Sequence, residues 1–310
     1  MKCFVPTILS NESWIKTFLR SHSDNTNFDE IVFIVPSRLV DFYNELLVGV
    51  FMVRVVDEDL IVKGLSYQSV RTCLTGLGGD SDRSGWYFQQ FLKMGICLEL
   101  CDDEYVVWDI DTLPLNSFSL YSSGKYRFIR KREYHKPYFE TIDRLFPGLE
   151  RGQENVSYIA ELMVFRTDIM SSILSILSEQ GGGTPWYENI LRSIDSKDLS
   201  KSGFSEYELY GNYVVKNYPG LYVEVKMRTL RTGSYIVSSD LDENTQRWLA
   251  KSFDIVTVEN RSLFSFRFIS KIPIFQTFCS ARALARVSEV FRITIFKLFG
   301  KKAIRYDWFD

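Results

Sequence analysis

Histidine is nearly absent from this sequence: only His22 and His135 occur in 310 residues, which argues against a zinc site built on imidazoles. The five cysteines, Cys3, Cys73, Cys97, Cys101 and Cys279, include no C-x-x-C pair. An odd set without a framework predicts reduced thiols of the cytosol rather than disulfides. No apolar run approaches the roughly 18 residues of a membrane span, and Met1-Lys2-Cys3-Phe4-Val5-Pro6 is too short an apolar opening for a signal peptide. The expectation is a cytoplasmic chain, neither secreted nor membrane-spanning. A formal net charge of -2 lacks the basic surplus that a nucleic-acid binder carries, so nucleic acid is excluded as a partner.

What is present is ample apolar material. With 45% apolar and 15% aromatic residues, the chain can bury one large or two modest cores. Short β-rich runs alternate with helical patterns: strands over Cys3–Leu9, Glu30–Val35 and Phe51–Val56, and helices over Glu12–Ser21 and Ser37–Leu47, the latter beginning at a Ser cap. That alternation predicts an α/β protein with a mostly parallel sheet flanked by helices. Ligands of such sheets lie outside the carboxyl ends of the strands. Thr7, Asp57, Asp59, Asp109 and Asp111 all fall at or just past such ends.

The sharpest feature is Trp108-Asp109-Ile110-Asp111, two carboxylates one residue apart after the apolar run Tyr105-Val106-Val107. If the strand continues through the pair, alternation points Asp109 and Asp111 the same way. Mg²⁺ or Mn²⁺ prefers oxygen ligands and keeps positions open for a diphosphate, so the pair reads as a metal–nucleotide site. The plain alternative is a solvated turn in which Asp111 caps the next element. Between Gly64 and Gly85, a glycine-bearing stretch leads into a helix over Trp86–Gly95; its spacing fits neither a P-loop nor a dinucleotide fingerprint. Arg83 and Lys93 on either side of that helix start are fixed cations suited to a diphosphate, unless Arg83 is a surface residue and Lys93 snorkels from an amphipathic helix.

Further along, Leu113–Arg132 reads as strands and loops, and Ser157–Ser178 as a helical stretch interrupted at Phe165-Arg166-Thr167-Asp168 and stopped at Gly181-Gly182-Gly183. Glu161 lies in that stretch as a solvated or acceptor-facing carboxylate. His135 stands beside Tyr134 and Tyr138, where a hydrogen-bonded place in an aromatic cluster is the simplest reading. Ser205-Glu206-Tyr207-Glu208 has the spacing of a capping box that opens a helix.

Four of these segments occur in order: Arg83-Ser84-Gly85-Trp86 through Gln89-Gln90 to Lys93, the D-x-D at Asp109, His135-Lys136-Pro137-Tyr138, and Ser205-Glu206-Tyr207 through Tyr210-Gly211. Together they resemble a bacterial family of GT-A-type glycosyltransferases long catalogued only as a domain of unknown function. The resemblance spans roughly residues 1 to 225. It implies a GT-A-like, Rossmann-type sheet and a nucleotide-sugar donor held by Arg83, Lys93 and Asp109, to which Thr7 and Asp57 are added as donor contacts by their places at strand ends. It also implies a Mn²⁺ or Mg²⁺ ion on Asp109 and Asp111 with His135 completing the shell, and Glu206 as the base that deprotonates the acceptor hydroxyl.

A change of composition near residue 260 predicts a catalytic region over 1–260 and a basic amphipathic region over 261–310. From Arg261 to Asp310 there are ten Lys/Arg against three Asp/Glu. Leu284, Val287, Phe291, Ile295 and Leu298 recur at helical spacing beside Arg282, Arg286, Arg292, Lys297, Lys301 and Lys302. Such a stripe packs on the protein or lies on an anionic membrane surface. The expected activity is transfer of a sugar, probable donor UDP-linked, to a glycan or lipid-linked glycan of the bacterial surface, at the inner face of the membrane. Two other classes fit the same carboxylates: a nucleotidyltransferase acting on a sugar phosphate, and a non-catalytic sugar-binding module.

Overall fold

The computed structural model describes residues 1–149, 151, 156–238, 241–259 and 266–298. Its strands are β1 (Lys2–Pro6), β2 (Glu30–Val35), β3 (Val53–Asp57), β4 (Glu104–Trp108), β5 (Thr112–Pro114), β6 (Tyr121–Ser122), β7 (Lys125–Ile129), β8 (Leu162–Arg166), β9 (Tyr222–Val225), β10 (Thr229–Leu230) and β11 (Ile255–Thr257). The chain forms two compact units. The first comprises Met1–Ser10, Phe28–Asp109 and Leu120–Val225; the second comprises Asn11–Asn27, Ile110–Ser119 and the chain from Lys226 onward. The boundary expected between residues 260 and 261 falls outside the described residues, and the division seen is discontinuous instead.

The first unit is built on a five-stranded sheet in the order β3-β2-β1-β4-β8. The pairs β1–β2, β2–β3 and β1–β4 are parallel, and β8 joins β4 antiparallel at the edge. Central strands such as Ile31-Val32-Phe33-Ile34-Val35 are buried along their whole length. That continuous apolar run is what a parallel strand covered on both faces needs. Helices Ser37–Leu46, Tyr67–Gly76, Ser84–Gly95, Lys136–Leu145, Thr167–Gln180, Trp186–Ser193 and Glu206–Asn217 belong to this unit. Apart from Ser37–Leu46, whose buried Tyr43 packs on Phe33, their apolar faces and the sheet share one core, which runs from Phe4 and Tyr105 through Phe91 and Phe165 to Leu209 and Val214. The α/β class with a mostly parallel, helix-flanked sheet is as the sequence predicts.

Two local expectations need correction. Ser157–Ser178 is not one interrupted helix, because Leu162-Met163-Val164-Phe165 pairs with β4 as strand β8 and the helix begins at Thr167. Four apolar residues do not distinguish strand from helix by period, and pairing with a strand more than fifty residues upstream decides it. The glycine-bearing stretch before residue 85 contains the helix Tyr67–Gly76, opened by a reciprocal capping box between Ser66 and Ser69. A small sheet, β6-β7-β9, completes the unit, with the Phe128 and Tyr222 rings stacked at 3.9 Å.

The second unit holds the helix Glu12–Asn25, capped by Asn11, whose side chain accepts from Trp14 N. It also contains the sheet β10-β11-β5, with the Thr112 and Thr257 hydroxyls bonded at 2.9 Å, and the helix Ala281–Leu298. That last helix buries Ala281, Leu284, Ala285 and Ser288 but exposes Val287, Val290 and Phe291. The expected apolar stripe is therefore split between two faces. The Leu298 side chain, Lys301 and Lys302 lie outside the described residues. No disulfide links the five cysteines. Among the described residues, no helix is long and apolar enough to cross a membrane.

Candidate active site at the carboxyl rim of the first unit

Because β1 to β4 run parallel, their carboxyl ends share one rim. Thr7, Asp57 and Asp109 each follow a strand there. Thr7 is buried, and its Oγ1 accepts from Leu9 N at 2.9 Å, which closes the turn after β1. Asp57 accepts from Ser37 Oγ at 2.6 Å and from Asp59 N at 2.9 Å, and Asp59 in turn accepts from Tyr67 N at 2.6 Å. Both expected donor contacts thus serve first as turn anchors. Between them Glu58 is buried, and its carboxyl is pushed up to about 7 by burial and by the charges of Asp59 and Asp57.

The helix Ser84–Gly95 delivers Lys93 to the carboxyl end of β4. Lys93 Nζ donates to Asp109 Oδ1 at 2.9 Å, to Glu206 Oε1 at 3.0 Å and to the Tyr207 hydroxyl at 3.1 Å. An ammonium has three donors, and all three are used. Burial alone would pull the Lys93 ammonium down; the Asp109 and Glu206 carboxylates outweigh it and hold the group well above its ordinary value. Glu206 is 3% exposed. Its second oxygen takes the Gln90 amide nitrogen at 2.9 Å, in the orientation where that nitrogen also donates to the Phe204 carbonyl at 3.0 Å.

This geometry revises two expectations. All three Lys93 donors go to protein oxygens in this arrangement, whereas the sequence suggested a diphosphate. Glu206 is a buried anion with both oxygens engaged, an arrangement that holds Lys93 rather than one that takes a proton from an acceptor hydroxyl. The helix it opens favours the negative charge through its dipole. Ser205 caps that helix by accepting from Glu208 N at 3.3 Å, but the Glu208 carboxylate turns away to Ser157 Oγ at 2.5 Å and to Asn212 Nδ2 at 3.2 Å. Only half of the predicted capping box forms.

The stretch leading into Ser205 is held from several directions. Arg83 donates through Nε to the Lys201 carbonyl at 2.8 Å and through Nη2 to Ser202 Oγ at 3.1 Å, with its guanidinium 4.3 Å from the Trp86 ring centre. His135 Nε2 donates to the Ser202 carbonyl at 2.7 Å, with its ring edge-on to Tyr138 at 4.5 Å. Thr141 Oγ1 donates to the Gly203 carbonyl at 2.8 Å, and Gly203 N donates to the Tyr87 hydroxyl at 3.3 Å. Arg83 is therefore committed to protein rather than to a nucleotide. With Nε2 donating to the Ser202 carbonyl, His135 has only Nδ1 left to offer a metal.

The D-x-D itself is a turn, since β4 ends at Trp108 and β5 begins at Thr112. The alternation argument for a side-by-side pair fails there, because neither aspartate lies on a strand. Asp109 ends the Phe28–Asp109 segment of the first unit and Asp111 belongs to the second, where its carbonyl accepts from Val258 N at 2.8 Å. Among the described residues, no three His, Cys, Asp or Glu side chains form a group able to hold a metal ion. Asp109 fits one position of such a site. Its Oδ1 is taken by Lys93, its Oδ2 takes no hydrogen bond among the described residues, and its side chain is 38% exposed. A hard divalent cation on that oxygen would draw its remaining ligands from water and substrate.

Residues 14–260 match the family of unknown function DUF6492. The chain belongs to this family. No curated protein matches the sequence. Among solved structures, mouse xyloside xylosyltransferase 1 in its apo form is similar at 10% identity and a TM-score of 0.48, over 84% of this chain and 98% of that one. The galactosyltransferase LgtC in complex with donor and acceptor sugar analogs is similar at 11% identity and a TM-score of 0.43, over 93% and 96%.

Several residues of this DUF6492 chain escaped the sequence reading. Gln90 and Tyr207 lie inside quoted motifs, yet nothing in the spacing told that Gln90 meets Glu206 across 116 residues or that Tyr207 meets Lys93 across 114. Gly211 is a contact glycine: a Cβ there would stand 2.4 Å from Tyr158 Cγ. Its only sequence signal is its place after Tyr210 in a helical stretch where glycine is unfavourable.

Proposed function

We propose that the protein is a GT-A-type glycosyltransferase that moves a sugar from a nucleotide-sugar, UDP-linked, to a glycan or lipid-linked glycan acceptor of the bacterial surface. One observation carries the reading. Four motifs scattered from residue 83 to residue 211 converge on one corner, and that corner presents a single half-exposed carboxylate, Asp109, at the carboxyl rim of the parallel sheet. This is where α/β sheets bind nucleotides.

In this reading Asp109 Oδ2 holds Mn²⁺ or Mg²⁺, which when bound supplies the charge that stabilises the departing nucleoside diphosphate. The chain's own residues do the rest. Lys93, Glu206, Gln90 and Tyr207 fix Asp109 in one rotamer, and the Arg83–His135 clamp fixes the start of the helix that carries Glu206. Work at the inner membrane face is part of the same proposal. It is supported by the basic composition after residue 260, by the exposure of Phe268, Ile274, Phe278 and Val290, and by the exposure of Arg286 and Lys297 on the helix Ala281–Leu298.

The test is product analysis. Incubation with a panel of nucleotide-hexoses, with and without Mn²⁺, should release nucleoside diphosphate in a metal-dependent way. Release of pyrophosphate from a nucleoside triphosphate and a sugar phosphate would identify a nucleotidyltransferase instead, and binding without turnover would identify a sugar-binding module.

A further inference from the structure

The ammonium of Lys93 is surrounded by three oxygens at 2.9, 3.0 and 3.1 Å, two of them from carboxylates. Glu206 is 3% exposed and Lys93 8% exposed, so the cluster is closed to bulk water on most sides. Two carboxylates aimed at one buried point would bind a hard cation strongly if the point were empty. It is already filled, by a charge the protein supplies itself.

We propose that Lys93 is a positioning residue that acts as a resident cation: it excludes a divalent ion from the pocket between Asp109 and Glu206 and leaves only the outward oxygen of Asp109 to bind one. A metal held between the two carboxylates would be buried, out of reach of a diphosphate. A metal held on one half-exposed oxygen keeps most of its coordination positions for water and for substrate, so it binds weakly alone and firmly together with the nucleotide. Lys93 thus sets where the ion sits and makes its binding depend on the donor. The proposal rests on the metal-dependent reading of Asp109, but its test uses Mn²⁺ alone and needs no turnover. Failure of transfer activity and failure of this proposal are therefore separate results.

The experiment is a Mn²⁺ titration of the full-length protein without nucleotide, by calorimetry or by the loss of the free-ion paramagnetic resonance signal. Three proteins are compared: wild type, Lys93→Met, and Lys93→Met with Glu206→Gln. Lys93→Met removes the charge and stops one atom short of the Nζ position, leaving that point open; it should bind one Mn²⁺ about tenfold more tightly than wild type or better, because one resident positive charge a few ångström away is gone. The double variant should return most of the way to wild type. Two unpaired carboxylates also destabilise the fold, so the melting temperature of Lys93→Met should rise with Mn²⁺ more than that of wild type. Wild-type Mn²⁺ affinity in Lys93→Met, or a Lys93→Met protein that stays unfolded in millimolar Mn²⁺, would overturn the proposal.

Discussion

Gly211 lies against the ring of Tyr158 so closely that a Cβ on the glycine would stand 2.4 Å from Cγ and 2.7 Å from Cβ of the tyrosine. Those atoms sit near the backbone and have no room to swing, and the far end of the ring is fixed where the Tyr158 hydroxyl donates to Glu224 at 2.9 Å. Gly211→Ala should gain about 1 kcal/mol of helix propensity and lose about 1–3 kcal/mol to overpacking, for a net loss on denaturant unfolding. A variant as stable as wild type would show that Tyr158 moves aside.

Glu208 supplies a pH test. Burial pushes its carboxyl up to about 7, against hydrogen bonds from Ser157 and Tyr158 and the nearby Arg151 charge that pull it down. An acid whose folded pKa is raised binds its proton more tightly when folded, so the stability it lends is complete below about pH 4.5 and is lost as pH rises toward 7. Glu208→Gln should therefore have a flatter stability curve than wild type between pH 4.5 and 7. Parallel curves would mean that its hydrogen bonds keep the carboxylate charged.

Arg83 is spent on the Lys201 carbonyl and the Ser202 hydroxyl. Arg83→Met should cost roughly 1–2 kcal/mol of stability through those lost charge-assisted bonds and leave the donor KM within about threefold of wild type. A tenfold rise in KM at unchanged stability would return Arg83 to the nucleotide.

Glu206→Gln separates anchor from base. Loss of the carboxylate breaks a buried ion pair, so the expected result is a destabilisation of about 3 kcal/mol. A protein of normal stability whose kcat falls a hundredfold at unchanged KM would instead mark Glu206 as the base.

Asp109→Asn keeps the shape of the side chain and removes its charge. Metal-dependent release of nucleoside diphosphate should fall by about 10²-fold or more while the melting temperature stays within a few degrees. Undiminished release would remove Asp109 from the site.

Much of the scaffold was legible because its signals are local. Glu30–Val35 is a strand with the predicted bounds, and the alternation of strands and helices over the first sixty residues shows up as the parallel sheet. β8 was missed because four buried apolar residues have no period of their own. The site was legible in its members rather than in their roles. Arg83, Lys93, His135 and Glu206 all stand in one corner, but charge and residue type suggested ligands, whereas their partners are protein atoms, Asp109 close to Lys93 in sequence and the others 67 to 119 residues distant. Long-range pairing leaves no trace in spacing. Nor did the sequence tell that the strand stops at Trp108, which removes the alternation on which the paired aspartates depended.

The clamp on residues 201–203 also bears on how the chain acquires its activity. Its bonds reach back to Arg83, Tyr87, His135 and Thr141, so none can close until those elements have docked. Loop-closure entropy over such separations makes these contacts slow to form. The corner that orients Asp109 should be among the last parts to acquire protection from hydrogen exchange during refolding. A nascent or partly folded chain would then carry every motif and still lack the assembled rim until the whole first unit is in place.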